Sequence, residues 1–138
     1  MGQTTEKVIV KNVYDMFRAA DGLIAKDAIR VVEVDAIVDT GATHLCLPPK
    51  AIEELGLMFS YSTAVTAANG EVPRRIFNGA YVTIQERSVE MEVMESDKTT
   101  PPLIGFLILA ALDFVVDPKL KQLIGNPRHG GRRIVDLY

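Results

Sequence analysis

Alternation with period two runs through most of this chain, and it restricts the fold more tightly than any other feature. Along Arg30–Asp39, the side chains of Val32, Val34, Ala36 and Val38 fall on one face of an extended strand. Glu33 and Asp35 fall on the other. The pattern recurs in Val8 and Val10, in Ala80, Val82 and Ile84, and in Val89, Met91 and Val93 against Glu90 and Glu92. Each stretch reads as a half-buried strand. Turn signals separate them. Asn69-Gly70 predicts a hairpin with a type I′ turn, which needs positive φ at both central positions. Glu86-Arg87-Ser88 predicts a second hairpin.

Helical patterning is scarce. "PPKAIEELGL" has prolines at its start, Ile52 and Leu55 three apart and Gly56 as a stop, which predicts two turns of helix. "GFLILAALD" predicts another, with Leu107, Ala110 and Ala111 on one side. "FVVDP" and "KQLIGNP" read as short strands, and "NPRHGGRR" as a loop. Many short strands with one or two short helices make an all-β chain, a barrel or a sandwich. A length of 138 residues, 48% hydrophobic and 24% charged, fits a single soluble domain spanning 1–138.

Charge and cysteine usage narrow the function classes. A net charge of -3 argues against nucleic acid or an anionic membrane as the main partner. The one cysteine, Cys46, allows no internal disulfide, which fits a reducing compartment. The N-terminal "MGQTTEKVIV" lacks the apolar core of a signal peptide. The longest apolar run, "PPLIGFLILAALDFVV", is interrupted by Gly105 and Asp113 and is too short to span a bilayer. Together these predict a cytoplasmic protein.

The chemistry concentrates in "AIVDTGATHLCLPP", Ala36 to Pro49. A strand ending in Ile37-Val38 delivers Asp39 into a tight turn, and Gly41 permits the bend. By itself the segment reads first as an Asx-type turn, with Asp39 used for shape. A catalytic reading asks for more. Amide hydrolysis needs a base for the water and an acid for the carbonyl. Two adjacent carboxylates sharing a proton supply both. The chain has no second Asp-Thr-Gly or Asp-Ser-Gly. The second carboxylate would come from a twofold dimer that sets each Asp39 against its copy.

"IVDTGATHLCLP" resembles the active-site segment of retroviral-type (retropepsin-like) aspartic proteases: two apolar residues, Asp-Thr-Gly-Ala, then a short apolar strand. Leu103-Ile104-Gly105 before "FLILAALD" resembles that family's second hallmark, two hydrophobic residues and a Gly opening a short helix. "LDFVVDPKLKQLIGNP" looks like the C-terminal half of its small bacterial members. The resemblance runs from Ala36 to Pro127. It implies a small closed β-barrel of the retropepsin type, homodimeric, with two Asp39 residues on one catalytic water and no cofactor or metal. Thr40, Gly41 and Ala42 would complete the active-site loop, Thr40 bonding across the dimer and Gly41 admitting the substrate backbone. Leu103, Ile104 and Gly105 would support that loop. A mobile hairpin, the flap, would cover an extended peptide substrate bound like an added strand. Its counterpart is "TAVTAANGEVPRR", with Ala68, Asn69 and Gly70 as substrate-binding candidates at the tip. Thr43 and His44 stand where many retroviral members carry an acidic residue that anchors the substrate.

Blander readings stand beside these. His44 has no second histidine close by and His129 lies in a basic loop, so a solvated or hydrogen-bonded role outweighs a metal ligand. Cys46, between Leu45 and Leu47, reads as a small buried or pocket-lining residue rather than a nucleophile. "RHGGRR" reads as a solvated loop ahead of a phosphate patch. "DTGAT" also satisfies the phosphate turn of actin-like ATPases, but those folds need a longer two-domain chain. A non-catalytic dimeric peptide-binding module on the same fold is the remaining alternative.

Overall fold

The computed structural model describes residues 3–135. The alternating segments form strands: β1 (Thr5–Asn12), β2 (Val31–Val38), β3 (Leu45–Leu47), β4 (Met58–Ala67), β5 (Gly70–Ile84), β6 (Arg87–Glu95) and β7 (Leu103–Ile104). They make one sheet in the order β1-β2-β7-β3-β6-β5-β4, and β1 also pairs with β5. Two short pairings in it, β2 with β7 and β3 with β6, are parallel. A separate hairpin joins β8 (Phe114–Asp117) to β9 (Gln122–Gly125). Val8, Val10, Ala36, Val82, Ile84 and Val93 lie in one buried cluster. The apolar faces read from the sequence are thus the faces that build the core, because period two leaves a strand only one side to bury.

The two expected helices are present as α2 (Pro49–Leu55) and α3 (Phe106–Leu112), the first stopped by Gly56 at φ 63°. Every residue of α3 is apolar. Ile108, Leu109 and Leu112 are buried, while Phe106 and Ala110 on the outer side are exposed.

A third helix, α1 (Val13–Ala20), was not expected. It escapes hydrophobic patterning because its buried residues are Val13 and a carboxylate, Asp15, while Phe17 is left exposed. Polar groups hold it instead. The Asn12 side chain caps it, accepting from the Asp15 amide at 2.9 Å and donating to the Leu55 carbonyl at 2.8 Å. Asp15 accepts from the Arg30 amide, Nε and Nη2, at 3.0, 2.8 and 3.1 Å. The Arg30 guanidinium packs against Gly56, where a Cβ would collide with it.

Both hairpins exist, with their turns placed differently. Ala67 pairs with Gly70, so Ala68 and Asn69 are the central residues, and only Gly70 at the tip has positive φ, 110°. The glycine serves the residue after the turn, not the turn itself. The conformation with two positive φ values occurs at Gln85 (48°) and Glu86 (73°), one step ahead of the expected position. "NPRHGGRR" is more than a solvated loop. Asp113 accepts from the Ile134 amide at 3.0 Å and contacts His129 Nδ1 at 2.6 Å, while Arg133 donates to the carbonyls of Ala111 and Ser88. Those bonds strap the segment over the end of α3.

The Asp15 network yields a stability prediction. Bonding to Arg30 above all holds the Asp15 carboxyl near 2, below its ordinary 3.8. A depressed carboxylate stabilises the fold fully above its unfolded value and loses that contribution as pH falls through its folded one. Asp15→Asn should therefore cost about 2 kcal/mol at neutral pH, the scale of hydrogen bonds to a charged group. The difference from wild type should shrink toward pH 2, as read by urea melts along a pH series.

Candidate active site

The apolar run of β2 ends at Val38, and the next residue hangs on β7 by its backbone. Ile37 N donates to Pro102 O at 2.9 Å and Asp39 N donates to Ile104 O at 3.0 Å. The turn then closes on itself: Asp39 Oδ1 accepts from Gly41 N, and Ala42 N donates to Asp39 O, both at 3.0 Å. The Asx turn and the candidate active-site loop are thus one feature, and the two readings do not compete. One carboxylate oxygen shapes the turn while the residue stays at the surface.

The loop also caps α3. The carbonyls of Ala42 and Thr43 accept from Phe106 N at 2.8 Å and Leu107 N at 3.1 Å, groups that a helix start leaves without partners. Gly105 makes this possible. A Cβ there would lie 2.3 Å from His44 O and 2.6 Å from the Thr43 carbonyl carbon, both backbone atoms. Its φ is −87°, so the requirement is space and not backbone freedom. Ile104 and Gly105 thus lie in direct backbone contact with the Asp39 loop, and Leu103 pairs with Ile37 just ahead of it.

A cleft of about 740 Å³ opens beside the loop. Asp39, Gly41 and Ala42 line one side, and Thr63 to Thr66 of β4 form the other. The wall is the arm of the hairpin. The tip residues Ala68, Asn69 and Gly70 do not line the cleft, and neither does Thr40. Asp39 and Thr40 are exposed in the single chain. The β4 wall lies within the hairpin segment "TAVTAANGEVPRR" read from the sequence, whose arm and not its tip meets the cleft, whereas Met94, which also lines the cleft, was missed. Met94 gave no signal beyond its place at the end of the alternating β6 segment.

Cys46 is buried and lines the cleft. Burial chiefly, with help from the Asp39 charge, pushes its thiol up to about 11 against a partial offset from Arg74. It is a wall residue and not a nucleophile. His44 Nε2 lies 3.1 Å from Glu92 Oε2, so it is a hydrogen-bonded histidine. Among the described residues, no three His, Cys, Asp or Glu side chains converge in a way that could hold a metal. No helix among them is long and apolar enough to cross a membrane.

A sequence model of the family described as aspartyl protease matches residues 24–107. No curated protein sequence matches the chain. Among solved structures, EIAV protease complexed with the inhibitor HBY-793 aligns with a TM-score of 0.54 at 14% identity, over 78% of this chain and 86% of that one. At that identity the likeness speaks for the fold alone.

Two outcomes follow from the packing. Gly105→Ala should lower stability by about 1–3 kcal/mol, the usual cost of overpacking, because backbone cannot yield as a side chain would. An unchanged melting temperature would contradict the contact with Thr43 and His44. Cys46 should react with iodoacetamide at pH 8 about a hundredfold more slowly than a thiol at its ordinary 9.0, and at the ordinary rate once the chain is unfolded in urea.

Proposed function

This chain belongs to the aspartyl protease family, and from that membership we propose that it is an aspartic endopeptidase whose water is activated by two Asp39 carboxylates, one from each subunit of a homodimer. The observation that carries this reading is the suspension of the Asp39 turn from Ile104 at the mouth of a cleft walled by a long hairpin. A peptide extended along that cleft would lie between Asp39 and β4. One Asp39, ionised, takes a proton from the water. Its copy, protonated, polarises the scissile carbonyl. Thr40 braces the two turns against each other, and Gly41 admits the substrate backbone.

Exposure supports the dimer. Asp39, Thr40 and Gly41 are all uncovered in one chain, and Phe106, three residues after Leu103, is half exposed beside them. A second copy seated there would cover that apolar face and desolvate the carboxylates together. The pairing of β1 with both β2 and β5 supports a closed barrel of the retropepsin type. The whole chain, 1–138, acts as one such domain in this reading, and its protonated, buried Cys46 suits a reducing, cytoplasmic setting. The hairpin tip, Ala68 to Gly70, would reach the peptide only on closing. The alternative is a dimeric peptide-binding module without catalysis. The retained Asp39-Thr40-Gly41 turn argues against it.

A peptide-library digest across acidic to neutral pH tests both. Cleavage should rise and then fall with pH, since one carboxyl must be ionised and the other protonated. Asp39→Asn should reduce cleavage by about a thousandfold or more. Specific activity should fall on dilution as the dimer separates. Cleavage that survives Asp39→Asn would sink the mechanism, and a folded dimer that binds peptides but cleaves none would favour the module.

A further inference from the structure

His44 lines the cleft, yet the chemistry above leaves it unused. Its backbone is clamped from three sides. Thr43 O is taken by Leu107 N, Gly105 packs against the Thr43-His44 peptide, and Cys46 Sγ donates to His44 O at 3.7 Å. The side chain is 13% exposed. Nε2 faces Glu92 Oε2 at 3.1 Å, while Nδ1 is buried with no partner. The tautomer with its proton on Nε2 suits both facts. It donates to the carboxylate and leaves a bare lone pair, not an orphan N–H, in the buried position.

The same carboxylate oxygen accepts from Tyr61 Oη at 3.0 Å. Tyr61 belongs to β4, two residues before the cleft wall at Thr63. A break in register explains how it gets there. Phe59 lies opposite Phe77, whereas Tyr61 lies opposite Ile76, so Ser60 is an extra residue. Phe77 and Ile76 are consecutive and face opposite ways. In an unbroken register Tyr61 would lie opposite Arg75 and share the face of Phe59, whose ring meets that of Phe77 edge-on at 5.9 Å. With Ser60 bulged out, Tyr61 shares the face of Ile76, of Met94 opposite Ile76, and of Glu92 two residues along β6. Bulges beside functional sites commonly re-aim a side chain in this way.

We infer that His44, Glu92 and Tyr61 form a positioning bridge that holds the β4 arm of the hairpin at its working distance from the Asp39 loop. None of the three touches the reacting atoms. The Asp39 turn is fixed separately by Ile104 and α3, so loss of the bridge loosens the peptide-binding wall and spares the chemistry. The kinetic consequence rests on the protease reading, but the bridge itself does not.

The test uses the full chain with Tyr61→Phe, His44→Ala, Glu92→Gln and the double variant Tyr61→Phe/His44→Ala. Tyr61→Phe removes a single hydroxyl from a partly exposed ring, so folding is not at stake. For a peptide the wild type cleaves, KM should rise about three- to tenfold, as expected for one hydrogen bond to a carboxylate. kcat should stay within about twofold. Amide exchange across 63–71 should quicken. The double variant should be no worse than the worse single, since either change breaks the same bridge. His44→Gln, which still carries a donor, should recover part of the loss. Unchanged exchange and KM in Tyr61→Phe, effects that multiply in the double variant, or kcat falling in step with KM would each overturn the bridge. If the wild type cleaves no peptide, exchange decides alone. Quickened exchange then upholds the bridge while the protease reading falls, and unchanged exchange removes the bridge whatever the activity.

Discussion

Two residues of parallel pairing hold this molecule's site together. Ile37 and Val38 run beside Leu103 and Ile104, and the ladder continues for one more bond, from Asp39 N to Ile104 O. Segments more than sixty positions apart in sequence meet there. Such a contact closes a long stretch of chain, so it is costly to form and must be secured by its surroundings. The surroundings are backbone as well. The carbonyls of Ala42 and Thr43 satisfy the first turn of α3, and the empty Cα of Gly105 lets them come close. Nothing in this arrangement depends on a long side chain that could take another rotamer. A carboxylate held this way can be placed accurately while remaining exposed on one chain.

Most strands were legible because each gives one face to the core. Val8, Val10, Ala36, Val82 and Ile84 fall where alternation puts them. The helices α2 and α3 were legible from their stops and from Gly105. Helix α1 was not, because Asn12 and Asp15 hold it through Leu55 and Arg30, partners that no local pattern reveals. Turn geometry was misread for a related reason. Gly70 marks a positive φ but not which position of the turn it occupies, and Gln85 and Glu86 carry positive φ without a glycine at all. Tertiary pairing on both sides overrides their local preference.

The site divides along the same line. The Asp39 turn and its support at Leu103, Ile104 and Gly105 are contiguous motifs, and the sequence displays them. The opposite wall is not. Tyr61, Glu92 and Met94 sit in strands whose residues look like ordinary alternation, and only the register shift at Ser60 brings the first two together. Registers are properties of pairs of strands, so a bulge is invisible until its partner is known.

The hairpin that walls the cleft has a second consequence. β4 is the last strand of the sheet, and its ten residues are exposed along nearly their whole length. Among the described residues its outer backbone groups therefore have no strand beside them. An open edge does not discriminate among extended chains: a peptide, an unfolded neighbour and the edge of another molecule offer it the same ladder. Only the kink at Ser60 interrupts the run. The fold thus keeps an open strand edge next to the Asp39 loop.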